Sequence, residues 1–226
     1  MKPARKWFGR WLLFVFPAVI TAVTFFQLPA RIPVHWNLYG QVDRWGARGT
    51  LWILPAIILL IGILSEWLPR RSANYEKFAD VINRINFGLA LFFNAVMLWV
   101  VYLTLTTLRQ GQPSLSSFRF MPAALGLLFI FIGNLMPKLR PNRWVGIRVS
   151  WTMTNEEVWR RTHRLAGYLM VFAGIFMIVG SLSAPNRYQL WLLPGVIAVM
   201  VIVPVWYARQ TAQRLKKADA DQKKTL

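Results

Sequence analysis

Three side chains suited to ligand chemistry lie close together in residues 31–49: His35, Asn37 and Asp43. An imidazole, an amide and a carboxylate can bind a ligand, or hold a metal ion whose shell is completed by water. Their spacing is a weak metal signal. The same residues also suit a tight loop in which Asn37, Gly40 and Asp43 cap turns and His35 bonds to the backbone. We predict ligand or partner recognition here and no bound metal, with the turn-capping alternative left open.

A second set of candidates lies in residues 137–164, where basic side chains are interleaved with tryptophan, proline and glycine. Arginine and lysine donors suit phosphate and carboxylate groups. Three partners fit this composition: anionic lipid headgroups, a cytoplasmic protein, or a phosphate-bearing substrate. The residues predicted to bind a partner or a phosphate are Lys138, Arg140, Asn142, Arg143, Arg148, Trp151, Trp159 and His163.

Acid–base chemistry is conceivable at His163, because Glu156 lies about two helical turns earlier on roughly the same face. The favoured alternative is a histidine that hydrogen-bonds to the preceding loop. The sequence contains no Walker loop, GxSxG elbow, HExxH pair or dinucleotide fingerprint. We therefore assign no catalytic residue and no cofactor. Whether the protein is an enzyme stays open, with the missing motifs weighing against it.

Membrane helices are the elements that must position these residues. The chain is 56% hydrophobic and only 15% charged, whereas soluble domains carry about 25% charged residues. Apolar runs of about 20 residues match a hydrocarbon layer about 30 Å thick, and the backbone inside lipid must satisfy its own hydrogen bonds. We predict an all-α integral membrane protein with six transmembrane helices, at about 11–29, 51–68, 87–108, 120–136, 165–184 and 188–207.

A short interfacial amphipathic helix is also predicted, just before the fifth run. Thr154 and Glu157 have the spacing of a capping box, so this helix should start at Asn155. Val158 and Thr162 then share one face, with arginines opposite. Such a helix is expected to lie in the membrane interface before the chain turns into the bilayer.

The charge distribution predicts the orientation of the chain. A formal net charge of +19 would suit nucleic acid, but the basic residues are concentrated in alternate connections. The positive-inside rule then places both termini in the cytoplasm, and the remaining charge suits anionic lipids rather than direct nucleic-acid binding. Most of the 27 Lys and Arg residues lie in the segments predicted to be inside, 1–10, 69–86, 137–164 and 208–226.

The chain divides into three predicted parts. Residues 1–110 form an N-terminal membrane unit around the outer loop 31–49, and residues 111–210 form a second unit around the inner loop 137–164. Residues 211–226 are predicted to be a basic cytoplasmic tail that begins as a short helical extension and frays into disorder. Polar residues within the apolar runs are sparse, which disfavours a transporter. The ionisable one, Glu66, is predicted to form an interfacial ion pair with Arg70 or Arg71.

Two stretches of the sequence resemble the SdpI family of bacterial membrane proteins. The N-terminal stretch, IPVHWNLYGQVDRWG at 32–46, follows an Ile-Pro-x-His-x-Asn…Gly…Asp pattern. The C-terminal stretch lies within 134–167. Its matching residues are the Lys-Leu-Arg-Pro-Asn run at 138–142, Gly146-Ile147-Arg148, Trp151-Thr152, Asn155-Glu156, Val158-Trp159 and Thr162-His163-Arg164.

The resemblance implies an integral protein of the bacterial plasma membrane. The family is typified by an immunity protein that protects its producer from a membrane-active peptide toxin and holds a DNA-binding autorepressor at the membrane. We accordingly expect the outer loop to sense a toxin and the basic inner loop to contact a cytoplasmic regulator. The residues alone leave an alternative, a membrane enzyme or carrier acting on a phosphate-bearing lipid at the inner face.

Overall fold

The computed structural model describes residues 4–37, 39–72, 75–113, 115–183 and 186–224. Short 3-10 turns join several of the main elements. Within the described residues the helices and strands are α1 (Ala4–Phe25), β1 (Arg31–Trp36), β2 (Val42–Ala47), α2 (Ile53–Arg70), α3 (Ala79–Gln110), α4 (Phe120–Gly133), α5 (Ser150–Thr154), α6 (Glu156–Ser183) and α7 (Asn186–Lys224).

Long apolar helices dominate the fold, as the sequence predicts. A sixth apolar helix, Trp11–Phe25, is shorter and lies at the first predicted run. In the described part of the chain, five helical segments are long and apolar enough to cross a membrane: Arg48–Arg70, Ala79–Gln110, Ser116–Lys138, Glu156–Ser183 and Leu193–Gln222. The mostly helical architecture with long apolar helices is thus confirmed. Five of the six predicted spans are long and apolar enough to cross a membrane.

The outer loop is a β-hairpin, which the all-α prediction missed. Strands β1 and β2 pair antiparallel, with Ile32 opposite Gly46 and His35 opposite Arg44. The register shifts on both sides of His35, as bulged strands do. Gly46 allows a close approach here, because a Cβ at this position would lie 3.0 Å from Val34 Cγ1. Residues 31–49 therefore present a formed two-stranded element instead of an irregular loop.

The separate interfacial helix is not observed, because α6 runs without a break from Glu156 to Ser183. The predicted capping box is also wrong. Asn155 caps the helix, its Oδ1 accepting the N–H groups of Glu157 at 2.9 Å and Val158 at 3.0 Å. The Thr154 hydroxyl donates instead to the carbonyl of Ser150. Glu157 is ion-paired with arginines of the next turn.

Helices α4 and α6 pack with glycine against glycine. A Cβ at Gly174 would lie 2.4 Å from the carbonyl oxygen of Gly126, and one at Gly167 would lie 2.7 Å from that of Gly133. The residue numbers fall along one helix as they rise along the other, so the helices are antiparallel. Small residues let helix backbones approach closely in membranes. The backbones of α4 and α6 therefore approach closely at both glycine pairs.

Polar side chains inside the apolar helices join neighbouring helices. Glu66 is buried and forms an ion pair with Arg70 at 2.8 Å, which confirms the predicted pairing. Asn86 of α3 donates to Glu66 Oε1 at 3.4 Å. Asn94 of α3 donates to the carbonyl of Leu13 at 2.8 Å. These contacts hold α1, α2 and α3 together as one N-terminal bundle.

Helix α7 continues well past its apolar part. Residues 211–224, predicted to begin as a helical extension and then fray, continue the same helix to Lys224, and 225–226 lie outside the described residues. Ala208 and Ala212 are buried against Val158 of α6, with Trp151 packed on the same cluster. The first turns of the basic extension are therefore part of the folded end of the bundle that carries residues 137–164.

Candidate functional site

The outer hairpin carries an exposed histidine–carboxylate pair. His35 Nδ1 donates to Asp43 Oδ1 at 2.6 Å across the two strands, with side chains 57% and 44% exposed. His35 therefore bonds to a side chain, and the predicted backbone bond is not formed. Across the described residues no group of three or more His, Cys, Asp or Glu is placed to hold a metal. The pair can still exchange hydrogen bonds with an external partner, because both groups remain accessible.

Asn37 builds the turn of the hairpin. Its Oδ1 accepts the N–H groups of Tyr39 at 2.9 Å and Gln41 at 3.0 Å, and its Nδ2 donates to Gln41 Oε1 at 3.1 Å. Gly40 has a φ of 74°, a conformation that glycine adopts without steric cost. The turn-capping interpretation is thus confirmed for Asn37 and Gly40, whereas Asp43 pairs with His35.

The hairpin is bonded to the helices at both ends: beside its turn, where Trp36 pairs with Val42, and after its base, where Arg48 follows β2. Trp36 Nε1 donates to Thr107 Oγ1 of α3 at 3.1 Å, and the Arg48 guanidinium donates to the carbonyl of Leu28 at 3.2 Å. Tyr39 is 77% exposed and Trp45 is 45% exposed. The hairpin therefore presents aromatic and hydrogen-bonding groups on a rigid support.

Asn142 organises the inner loop. Its Oδ1 accepts the N–H groups of Trp144 and Val145, both at 2.8 Å, and its Nδ2 donates to the carbonyls of Arg140 and Val145. The residue is also buried. Because the side-chain amide bonds within the loop, Asn142 shapes the predicted binding surface from inside.

Trp159 and His163 form the buried centre around which the inner loop closes. Their rings stack with centroids 3.9 Å apart. Trp159 Nε1 donates to the carbonyl of Leu139 at 2.7 Å, and His163 Nδ1 donates to the carbonyl of Trp159 at 2.9 Å. The backbone N–H of Ile147 donates to His163 Nε2 at 3.0 Å. This geometry requires a neutral imidazole protonated at Nδ1, which confirms the loop-bonded interpretation of His163.

Acid–base pairing of His163 with Glu156 is not formed. Both nitrogens of His163 are bonded to backbone groups, and the side chain is fully buried. The Glu156 carboxylate is exposed and lies 3.8 Å from the Arg140 guanidinium. His163 therefore has a structural role: it accepts a hydrogen bond from the loop backbone at Ile147 and so connects the loop to α6.

Gly146 makes this closure possible. Its φ of 117° lies in a region that L side chains rarely adopt, and a Cβ there would lie 2.4 Å from His163 Nε2. Thr152 supports the next stretch, because its Oγ1 donates to the carbonyl of Ile147 at 2.7 Å and accepts the N–H of Val149 at 3.1 Å. The loop is thus held to α6 at several points.

The basic side chains of the inner loop form an exposed rim around this buried centre. Lys138, Arg140, Arg143 and Arg148 are all exposed, and the Arg148 guanidinium donates to the carbonyl of Arg143. Sequence reasoning missed one cation, Lys77, which lines an open pocket together with Arg140 and Glu156. No local pattern reveals that neighbour, because the residues are far apart in the chain.

The arrangement defines a class of polytopic membrane protein with a hairpin at one end of the bundle and a closed basic loop at the other. Residues 138–208 match the model of the SdpI/YfhL protein family, and residues 12–59 match a domain of unknown function (DUF1648). The predicted resemblance to the SdpI family is therefore confirmed, and both candidate sites lie within matched regions.

A curated relative extends the similarity over most of the chain. The protein named Immunity protein SdpI from Bacillus subtilis (strain 168) is 23% identical over 197 residues, which cover 84% of this chain and 89% of the relative. No solved structure matches the chain.

Proposed function

We propose that this protein is an immunity protein of the bacterial plasma membrane, which protects the cell from a membrane-active peptide toxin. The observation that carries the proposal is the similarity to Immunity protein SdpI over 84% of the chain. An immunity role also suits the absence of a recognised catalytic motif in the sequence. Protection then depends on recognition, which needs an accessible and well-supported surface.

The proposed topology has six spans with both termini in the cytoplasm. Helix α1 contains 22 residues. Its apolar part, Trp11–Phe25, reaches about 22 Å at 1.5 Å per residue, and a bilayer thins locally around a span shorter than its hydrocarbon layer. An even number of spans places both termini on one side. The positive-inside rule supports the cytoplasmic side, because the basic inner loop and the basic end of α7 lie together there.

The outer hairpin is the proposed toxin-contacting surface. It combines the exposed His35–Asp43 pair with Tyr39 and Trp45. Aromatic side chains are enriched among the residues that dominate binding energy. The bond from Trp36 to Thr107 limits the conformational freedom of the hairpin, so less entropy is lost when a partner binds.

The basic rim of the inner loop is the proposed contact for a cytoplasmic regulator. Its exposed cations can pair with carboxylate groups of a protein partner. Helices α4 and α6 link the two ends, and the Arg119 guanidinium at the start of α4 donates to the carbonyl of Leu182 near the end of α6 at 3.0 Å. The hairpin is bonded to α3 through Trp36 and Thr107, and α3 packs on α4, so a toxin-induced shift of the hairpin would reach the inner loop through α3 and this tightly packed pair.

A protection assay tests the immunity role. The chain is expressed in a toxin-sensitive bacterium lacking its own immunity protein, which is then challenged with the peptide toxin countered by the SdpI family. We expect the protein to restore growth and His35→Ala to lower the tolerated toxin concentration by about tenfold or more, the loss expected when a central binding residue is removed.

The matched control is Arg44→Ala, which removes an exposed side chain of the same hairpin that is not part of the His35–Asp43 pair and should therefore leave the tolerated toxin concentration unchanged. Arg148→Ala probes the other end of the molecule and should leave protection intact. Membrane abundance is measured for every variant. Failure of the unaltered protein to protect at normal abundance would contradict the immunity proposal. Full protection by His35→Ala would remove the hairpin pair from the toxin contact.

A further inference from the structure

A pocket of about 580 Å³ opens at the inner end of the bundle, lined by Lys77, Arg140, Pro141 and Glu156. Its charged groups come from two different connections and from the first residue of α6. Two cations and one carboxylate therefore face a shared space. This combination differs from the rest of the rim, where the exposed charges of the loop are positive.

The guanidinium and the carboxylate in the pocket do not form a close ion pair. Arg140 Nη1 and Glu156 Oε1 are 3.8 Å apart, which is beyond hydrogen-bond distance. The other ion pairs at this end are closer: Asp80 is 2.9 Å from Arg84, and Glu157 is 2.7 Å from Arg160. The guanidinium and the carboxylate in the pocket thus keep hydrogen-bonding capacity for a ligand.

The folding of α6 does not depend on the Glu156 side chain. Asn155 provides the cap by accepting the N–H groups of Glu157 and Val158. Glu156 is 70% exposed and Arg140 is 67% exposed. Both can therefore reorient toward a ligand without disturbing the buried centre of the loop.

The depth of the pocket favours a ligand from the aqueous phase. The predicted apolar run of α6 begins at Leu165, and Glu156 lies about 13 Å beyond it at 1.5 Å per residue. The headgroup layer on each side of the hydrocarbon is only about 5–8 Å deep. With α6 along the bilayer normal, the Glu156 side of the pocket thus lies beyond the headgroup layer.

We propose that this pocket binds a small zwitterion from the aqueous phase on the inner-loop side, a molecule that carries a phosphate and a primary ammonium group. Lys77 and Arg140 bind the phosphate, and Glu156 binds the ammonium. Phosphate alone would meet repulsion from Glu156, and an amine alone would meet repulsion from the two cations. A zwitterion satisfies all three side chains.

The test uses phosphoethanolamine as the probe, with inorganic phosphate and ethanolamine as its separate halves. Each is titrated by calorimetry into the full protein in phosphatidylglycerol nanodiscs. Phosphoethanolamine should bind more tightly than either half. Glu156→Gln should weaken phosphoethanolamine binding about threefold to fivefold, the range of one exposed ion pair, and should strengthen phosphate binding because a repulsive charge is removed. Lys77→Met should weaken both.

The matched control is Arg143→Met, which removes an exposed cation outside the pocket and should change neither affinity. Equal losses in Arg143→Met and Lys77→Met would reveal a diffuse basic surface and overturn the proposal. Phosphate binding as tight as that of phosphoethanolamine, or no binding of the latter, would also overturn it. Nanodiscs containing phosphatidylethanolamine distinguish the source of the ligand. Unchanged affinity is expected, whereas competition would assign the pocket to a lipid headgroup and contradict the aqueous source.

Discussion

Replacing Gly174 with alanine should force helices α4 and α6 apart. The new Cβ would lie 2.4 Å from the carbonyl oxygen of Gly126 and 3.0 Å from the backbone nitrogen of Ile130. Backbone atoms cannot rotate away as a side chain can, so the two helices must separate. We expect the free energy of unfolding to fall by about 3 kcal/mol, which is at the upper end of the cost of overpacking a core. The melting temperature should fall by about 6–12 °C. Intrinsic tryptophan fluorescence during heating in detergent measures this change.

The matched control for this substitution is Gly195→Ala. Gly195 also lies in an apolar helix, α7, but a Cβ there meets nothing within 4 Å. Alanine favours helix by about 1 kcal/mol over glycine, so this variant should be unchanged or slightly more stable. The two substitutions are chemically identical, but only Gly174→Ala is expected to lower the melting temperature. Equal melting temperatures would contradict the packing of α4 on α6.

The spans were predictable because the bilayer imposes length and composition on each helix. The partner of each helix was harder to predict, since apolar runs do not encode which helices touch. A usable signal was present in the spacing of Gly126 and Gly133, which is repeated by Gly167 and Gly174. Equal spacing on two helices allows both glycine pairs to meet in an antiparallel arrangement.

The hairpin also left a signal in the sequence. Ile32, Val34 and Trp36 alternate with Arg31, Pro33 and His35, which is the period of a strand. That pattern spans only six residues and follows a long apolar helix, so turn-forming residues dominated the interpretation. The sequence identified His35 and Asp43 as candidates, but their pairing depends on the strand register, which only the folded hairpin sets.

The inner loop shows where residue type alone misleads. Thr154 and Asn155 are both good cap residues at adjacent positions, and only the hydrogen bonds show that Asn155 is the cap. Similarly, Asn142, Trp159 and His163 have the residue types of a binding site, yet their polar groups bond within the protein. The distinctive composition of this loop encodes its closure as well as its exposed basic rim.

Replacing Gly146 with alanine should detach the inner loop from α6. The substitution combines a positive φ of 117° with a Cβ placed 2.4 Å from His163 Nε2. The first effect costs about 1–2 kcal/mol for an L residue, and the second adds about 1–3 kcal/mol. We expect a lower melting temperature together with faster hydrogen exchange at the Ile147 amide, because this amide donates to His163. Hydrogen exchange at the Glu157 and Val158 amides, which Asn155 caps, should change less.

A double-mutant cycle separates the two causes. In a His163→Ala background the closest contact is absent, so Gly146→Ala should cost the backbone strain and the smaller effect of a Cβ lying 3.2 Å from the Trp159 ring. The difference between the two backgrounds gives the coupling between Gly146 and His163. Gly49→Ala is the matched control, because a Cβ there meets nothing within 4 Å and its φ is not positive. Strict additivity of the Gly146 and His163 substitutions would contradict the contact between them. A coupling of about 1–3 kcal/mol would instead identify the glycine–histidine contact as the closure that holds the basic rim in place.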